Sequence, residues 1–336
     1  MLATKSLMID VLLAVILQAC PAQASEPVRI RLGWVVPITD WALFMLEKRD
    51  LARHSGESYV LEPVRFASSP SVITALANSE LEIGNLAFST LGLAIQNAGL
   101  GDLRVISDLF QDGRSNYFTN EYLVRRDSAI QTAGDLKGKV IASPGVGGAI
   151  DIAMRVMLRK HGLEDKRDYS VIEAPMPAMQ PMLADRKADL VPGVPPFAFD
   201  PGLRSIARIL FTQKEALGLT QMIVLTARKS FLDKNRAALV DFMEDNLRLV
   251  RWCIDPANHD EAVKIAARLT KQPTERFAGW LFTSGDYYRD PNMLPDLEAL
   301  QGNINLQREV GFLPRPLDIR DYLELDIVKE AARRLN

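Results

Sequence analysis

Cysteine and histidine are scarce in these 336 residues, with two of the first and three of the second. Two cysteines cannot build a disulfide framework, and three scattered histidines suggest no dedicated metal site. An excess of charge of one sign is also missing. The 40 Lys+Arg and 42 Asp+Glu leave a formal charge of −2, without the basic face that nucleic acid demands. Glycine and proline number only 20 and 19, so long disordered tracts are not expected. Beyond the N-terminal segment, no stretch approaches the roughly 18 consecutive apolar residues needed to span a membrane. What is present is a chain 48% hydrophobic, long enough for one large domain or two lobes that each bury a core.

Residues 1–24 read as a signal peptide. Lys5 supplies a short basic region, Leu7 to Leu17 an apolar one, and Ala22-Gln23-Ala24 small residues at the spacing a signal peptidase reads. Cleavage after Ala24 would leave Ser25 first. A second exit lies at Leu17-Gln18-Ala19-Cys20, which resembles a bacterial lipobox with Gln18 as a poor fit, and would leave an acylated Cys20. Both routes imply export to the periplasm, free or lipid-anchored. The other cysteine, Cys253, falls among Phe242, Met243, Leu247, Val250 and Ile254 at helical spacing, which predicts a buried structural thiol.

The mature chain alternates predicted strands and helices. Strands are expected at Val28–Leu32, Val60–Phe66, Leu81–Gly84, Leu103–Phe110, Tyr122–Arg125, Lys139–Ser143, Tyr169–Glu173, Leu190-Val191, Ile206–Phe211 and Met222–Thr226. Helices are expected near Trp41–Ala52, from Ser69-Pro70 (a cap followed by proline), after Gly148, and over Asp233–Asp255, His259–Thr270 and Thr274–Leu281. This alternation predicts an α/β protein with largely parallel sheets, whose ligands gather beyond the carboxyl ends of the strands.

Three segments carry a family resemblance. Asp135-Leu136-Lys137-Gly138-Lys139-Val140-Ile141-Ala142-Ser143-Pro144-Gly145, leading to a helix that ends Lys160-His161-Gly162-Leu163, resembles the "DLKGKKV" turn of periplasmic solute-binding proteins. Ala75–Gly84 resembles their "AL-x-x-G-x-x-D-x-G" segment, and Met182–Leu190 their "L-x-x-G-x-x-D-A" segment. With Gly33-Trp34 and Gly311–Pro314, the similarity spans nearly the whole mature chain. The branch it most resembles is the sulfonate/nitrate/taurine and thiamine-precursor (NMT1/THI5-like) group of ABC-transporter binding proteins. That resemblance implies a type II periplasmic binding protein fold, two α/β lobes with a ligand cleft between them. The hinge would lie near Ser115–Tyr122 and Leu210–Met222. Lobe one would comprise residues 28–115 and 216–336, and lobe two residues 116–215.

Candidate ligand contacts follow from where loops meet helices. Gly145-Val146-Gly147-Gly148-Ala149 enters a helix N-terminus, a natural seat for an anion, although the same glycines equally suit a tight turn. Members that bind sulfonate or nitrate often carry Ser/Thr where this chain has Gly147 and Gly148, and Asp151 in the first turn would repel an anion. The remaining candidates are aromatics, amides and hydroxyls: Thr39, Trp41, Asn85, Phe88, Ser89, Thr90, Asn116, Tyr117, Pro196 and Phe197. Such a set suits a planar organic ligand held by stacking and oriented by hydrogen bonds. Arg114 is the expected partner for an acidic group.

No G-x-S-x-G, H-E-x-x-H or P-loop occurs, and no carboxylate pair stands out, so no catalytic residue, cofactor or metal is expected. The fungal pyrimidine-synthesising relatives carry a cysteine- and histidine-rich motif that is absent here. The expectation is a monomeric, exported solute-binding protein that delivers a small aromatic or heteroaromatic molecule, in acid form or not, to an ABC permease. The alternatives are an enzyme of thiamine- or menaquinone-precursor metabolism on the same fold, or an exported ligand sensor.

Overall fold

A computed structural model describes residues 26–35, 42–66 and 69–335. The expected signal peptide, Cys20, Thr39 and Trp41 lie outside these residues.

The first lobe is built on one five-stranded sheet. Its strands are β1 (Val28–Trp34), β2 (Tyr59–Arg65), β3 (Ile83–Ala87), β4 (Leu103–Asp112) and, much later in the chain, β10 (Thr220–Arg228). They are ordered β2-β1-β3-β10-β4. β1 runs parallel to β2 and β3, while β10 is antiparallel to both of its neighbours. Helices α1 (Ala42–Glu47), α2 (Ser69–Ala77) and α3 (Phe88–Asn97) fall between these strands.

The second lobe holds β5 (Glu121–Arg125), β6 (Val140–Ser143), β7 (Ser170–Glu173), β8 (Val191–Gly193) and β9 (Ala207–Thr212). β5 is antiparallel to β8 and β9, β6 is parallel to β7, and an Ile141–Leu190 bridge joins the two groups. The largely parallel arrangement expected from the sequence is therefore corrected to a mixed one. Strand-helix alternation gives the elements, but pairing direction depends on where β10 returns. Helices α4 (Ala149–Lys160), α5 (Met179–Ala184) and α6 (Pro201–Ile206) belong to this lobe, and α7 (Gln213–Leu217) leads out of it.

The last third is helical, as the periodicity predicts: α8 (Lys229–Ile254, bent at Asn235), α9 (His259–Thr270), α10 (Glu275–Ala278), α11 (Leu297–Glu309) and α12 (Asp326–Arg334). α9 matches its predicted bounds, whereas the helix expected over Thr274–Leu281 shrinks to the single turn of α10. α3, α5, α6, α7, α11 and α12 fall outside the predicted helices. α3 carries Ser, Thr and Gly92 and is buried on nearly every side, so it shows no polar face to mark its period. α11 carries an interior glycine, Gly302, and starts on Asp296, whose carboxylate accepts the Ala299 N–H at 2.9 Å.

One main core runs through both lobes, with a smaller cluster around Leu123, Met179, Leu183 and Leu203 in lobe two. Cys253 is buried within the main core, as its spacing predicts, and burial pushes its thiol well above the ordinary range. Among the described residues, no helix is long and apolar enough to cross a membrane.

Close packing of α2 on the first sheet depends on Gly84. A Cβ there would come within 2.7 Å of Leu76 Cδ1 and 3.0 Å of Val72 Cγ1. Gly84→Ala should destabilise the protein by about 1–3 kcal/mol through overpacking, read as a lower urea midpoint with an unchanged slope. An unchanged midpoint would show that α2 can move away freely.

Candidate functional site

A cleft of about 740 Å³ opens where the carboxyl ends of the strands and the N-termini of three helices converge. α2 brings Ser69 and Pro70, α3 brings Thr90 behind Ala87, and α4 brings Gly148 and Ala149. The first amides of a helix have no intrahelical partner and carry partial positive charge, so the wall has three such poles. Its remaining surface is mostly apolar, with prolines 144, 175, 177 and 195, Met176, Met222, Ile223 and three aromatic rings.

Those rings are Phe110, Tyr287 and Phe197. Phe110 and Tyr287 stack with centroids 4.4 Å apart and planes at 23°, and Phe197 comes from lobe two. Tyr287 is held in place from below: its hydroxyl donates to Asn120 Oδ1 at 2.6 Å, and Asn120 Nδ2 donates to Gln213 Oε1 at 3.0 Å. Burial raises the Tyr287 phenol well above its ordinary range, which keeps it a neutral donor.

Charge is sparse. Among the described wall residues, Arg65 is the sole cation and Glu173 the sole carboxylate. The register that pairs Trp34 with Arg65 puts this arginine at the end of β2, its guanidinium 5.7 Å from the Trp34 ring. Glu173 ends β7, and its Oε1 accepts the Val146 N–H at 2.6 Å. One turn into α4, Asp151 bends back so that Oδ2 accepts the Gly147 N–H at 2.9 Å and the Arg155 Nε at 2.7 Å. Burial raises the Asp151 carboxyl, opposed by its bond to Arg155. Gly148 donates within the loop, to the Gly145 carbonyl at 3.2 Å.

The sequence candidates divide accordingly. Asn85, Thr90, Gly148, Ala149 and Phe197 stand on the cleft wall. Phe88 and Ser89 open α3 but are wholly buried. Gly147 adopts φ +79, and its α-carbon faces Phe312, where a Cβ would come within 3.2 Å. Pro196 stands behind Pro195, which does line the wall. Arg114 is turned away. It donates to Asp296 Oδ2 and to Gln111 Oε1, each at 3.0 Å, and lies over the Tyr288 ring at 4.9 Å. Tyr117 meets the same ring edge-on at 5.2 Å, and Asn116 is exposed on that turn. Sequence reasoning missed Arg65, Glu173, Phe110 and Tyr287. The first two carried a usable signal, since each stands at the carboxyl end of a predicted strand.

Away from the cleft, His54, Asp241 and Glu244 bring ligand atoms within 4.8 Å of one another. Arginines already neutralise this group: Arg334 Nη1 lies 2.8 Å from Asp241 Oδ1, and Arg248 donates to Glu244. It is an ion-pair network tying α8 to α12 and to the turn that precedes β2.

Comparison with known proteins places this geometry. The structure is similar to the alkanesulfonate-binding protein SsuA from Xanthomonas axonopodis pv. citri bound to MOPS, with a TM-score of 0.70 and 19% identity over 90% of this chain and 100% of that one. It is also similar to the periplasmic nitrate-binding protein NrtA from Synechocystis PCC 6803, with a TM-score of 0.71 and 16% identity over 93% of this chain and 90% of that one. The desulfurization enzyme DSZB superposes too, with a TM-score of 0.67 and 12% identity over 92% of this chain and 100% of that one. At such identities the likeness establishes the two-lobed periplasmic-binding-protein fold. No curated protein matches the sequence significantly. The model of the NMT1-like family matches residues 23–267, well over half of the chain. This chain therefore belongs to the NMT1-like family.

Proposed function

We propose that this is an exported solute-binding protein that closes two lobes on a small aromatic or heteroaromatic acid and hands it to an ABC permease. The observation that carries the reading is the cleft itself: about 740 Å³, walled by Phe110, Tyr287 and Phe197 and provided with one arginine. Flat apolar walls favour a planar body, and Arg65 with the N-termini of α2 and α3 favours a negative end. The described wall contains no cysteine or histidine, and its Thr90 hydroxyl is spent on the Ala87 carbonyl at 3.0 Å. This supports binding over the catalysis of an enzyme on the same fold. The similar binding proteins and the leader-like residues 1–24 support the export and transport part of the proposal.

The proposed lobes are residues 28–115 with 216–336, and 116–215. Two chain passages between the sheets, after β4 and before β10, support this division. They are laced together: Gln213 N–H donates to the Asn120 carbonyl at 2.7 Å and Lys214 N–H to Thr119 Oγ1 at 3.0 Å. Because Asn120 also holds Tyr287, a ligand resting on that ring presses on the proposed hinge.

A thermal-shift screen of aromatic carboxylates, pyrimidines, sulfonates and nitrate tests the reading. An aromatic acid at 100 times its Kd should stabilise the protein by about 2.7 kcal/mol. Phe197→Ala should weaken that compound by about tenfold, since a lost aromatic contact is worth about 1.4 kcal/mol. Stabilisation by nitrate alone would overturn the aromatic preference, and turnover of a bound compound would overturn the transport reading.

A further inference from the structure

The glycine loop before α4 is the part of the cleft best shaped to seat an oxyanion, yet the chain's own carboxylates already hold its amides. Glu173 accepts from Val146 at 2.6 Å, and Asp151 accepts from Gly147 at 2.9 Å. An oxyanion brought to this loop would meet two negative charges. Asp151 is fully buried and bound to Arg155, so turning away would leave that guanidinium to Asp165 alone, 2.7 Å from its Nη1. Glu173 differs because it is exposed, lines the cleft and commits only Oε1; among the described residues its Oε2 makes no hydrogen bond. On the lobe-one wall, Arg65 is exposed; among the described residues its ring contact is with Trp34, which leaves the guanidinium edge open to a ligand.

We infer that Arg65 and Glu173 together set the ligand class: an organic acid with a hydrogen-bond-donating nitrogen, preferably cationic, at its other end. The anionic group binds Arg65 on lobe one. The N–H group binds Glu173 Oε2 on lobe two, so the ligand bridges the lobes with opposite ends. This rests on the cleft being the ligand site and deepens that reading by naming both ends. Carboxylates and guanidinium groups form charge-assisted hydrogen bonds about twice as strong as neutral ones, which makes each end a selective contact.

Two probes isolate the Glu173 end. 4-(Aminomethyl)benzoate and 4-methylbenzoate share the aromatic ring and the acid group and differ by the ammonium on the para carbon. By titration calorimetry on the wild-type protein, the aminomethyl compound should bind about tenfold more tightly, the difference made by one charge-assisted hydrogen bond. Glu173→Gln keeps an oxygen for the Val146 amide, so the loop stays seated, and should bring the two affinities together without weakening 4-methylbenzoate. Arg65→Gln should weaken both compounds alike. A wild-type ratio near one, a preference that survives Glu173→Gln, or failure of both compounds to bind would each overturn the two-ended ligand. The cleft reading falls separately, only if the wider screen stabilises nothing.

Discussion

Replacing Asp286 with alanine is expected to cost about 3–5 kcal/mol, the loss typical of breaking one side of a buried ion pair. Asp286 and Arg289 are 0% and 1% exposed, with Arg289 Nη1 2.8 Å from Asp286 Oδ2. The carboxylate has further duties. It accepts the Phe282 N–H at 2.9 Å and the Tyr287 N–H at 2.7 Å, so it shapes the turn that carries the aromatic cleft floor. Alanine would take this carboxylate away from the buried Arg289 guanidinium and from both amides at once. Asp286→Asn keeps an acceptor but loses the charge, and should cost less. For a chain of this size, the alanine variant should melt roughly 10 °C lower. Denaturation that leaves Asp286→Ala within experimental error of wild type would show that Arg289 and the turn rearrange at no cost.

The pH dependence of stability should be equally large. Asp108 and Asp112 are buried in the second half of β4, and burial pushes both carboxyls up to about 7. Asp112 accepts from Thr119 Oγ1 at 2.7 Å and from the Asn120 N–H at 2.8 Å, with Lys214 the nearest contributing cation. Tyr122 and Tyr287, both held neutral by burial, also face it. Asp108 accepts from Gln221 Nε2 at 2.5 Å, with the charges of Asp290 and Arg289 acting on it in opposite senses. Between about pH 4 and pH 7 the unfolded chain has released both protons while the folded chain retains them. Their stabilisation is therefore complete below the unfolded value and disappears as pH rises through 7, by at most about 4 kcal/mol for each group. The trend reverses in acid, because Asp127, Asp168 and Asp318 are held below the ordinary range by arginine partners and must be protonated there. Melting temperature should thus peak near pH 4, fall by about 10 °C by pH 7 and level off above it. The double variant Asp108→Asn, Asp112→Asn, which keeps an oxygen acceptor at each position, should flatten that decline. A decline of the same slope in variant and wild type would remove these two carboxyls as its source.

Strand composition made most of the first and second sheets legible. Val60–Phe66 and Tyr169–Glu173 were expected within a residue of where β2 and β7 lie, and their last residues supply the two charged groups of the cleft wall. The glycine loop was legible as a helix entry, but not the state of its amides, because Glu173 stands 27 residues beyond Val146 in the sequence. The pairing of Arg114 was hidden for a similar reason: its partner Asp296 comes from the start of α11, a helix whose interior glycine hid its period. Tyr287 lies in an irregular stretch after α10, without periodicity of any kind. Only the tertiary fold stacks it on Phe110 and joins it to Asn120.

The place of β10 in the first sheet has a consequence for the order in which that sheet can be completed. β3 and β4 are consecutive in the chain yet not adjacent in space, and the gap between them is filled by a strand that begins at Thr220. As the chain is made, β1, β2 and β3 can pair early, but β4 stands apart until the whole of residues 113–219 has emerged. The sheet is closed like an arch, by a keystone that arrives after the inserted lobe. Pairings so distant in sequence form slowly, because loop entropy must be lost before the contacts repay it. In a nascent chain of this design the first sheet stays open until about two thirds of the chain exists.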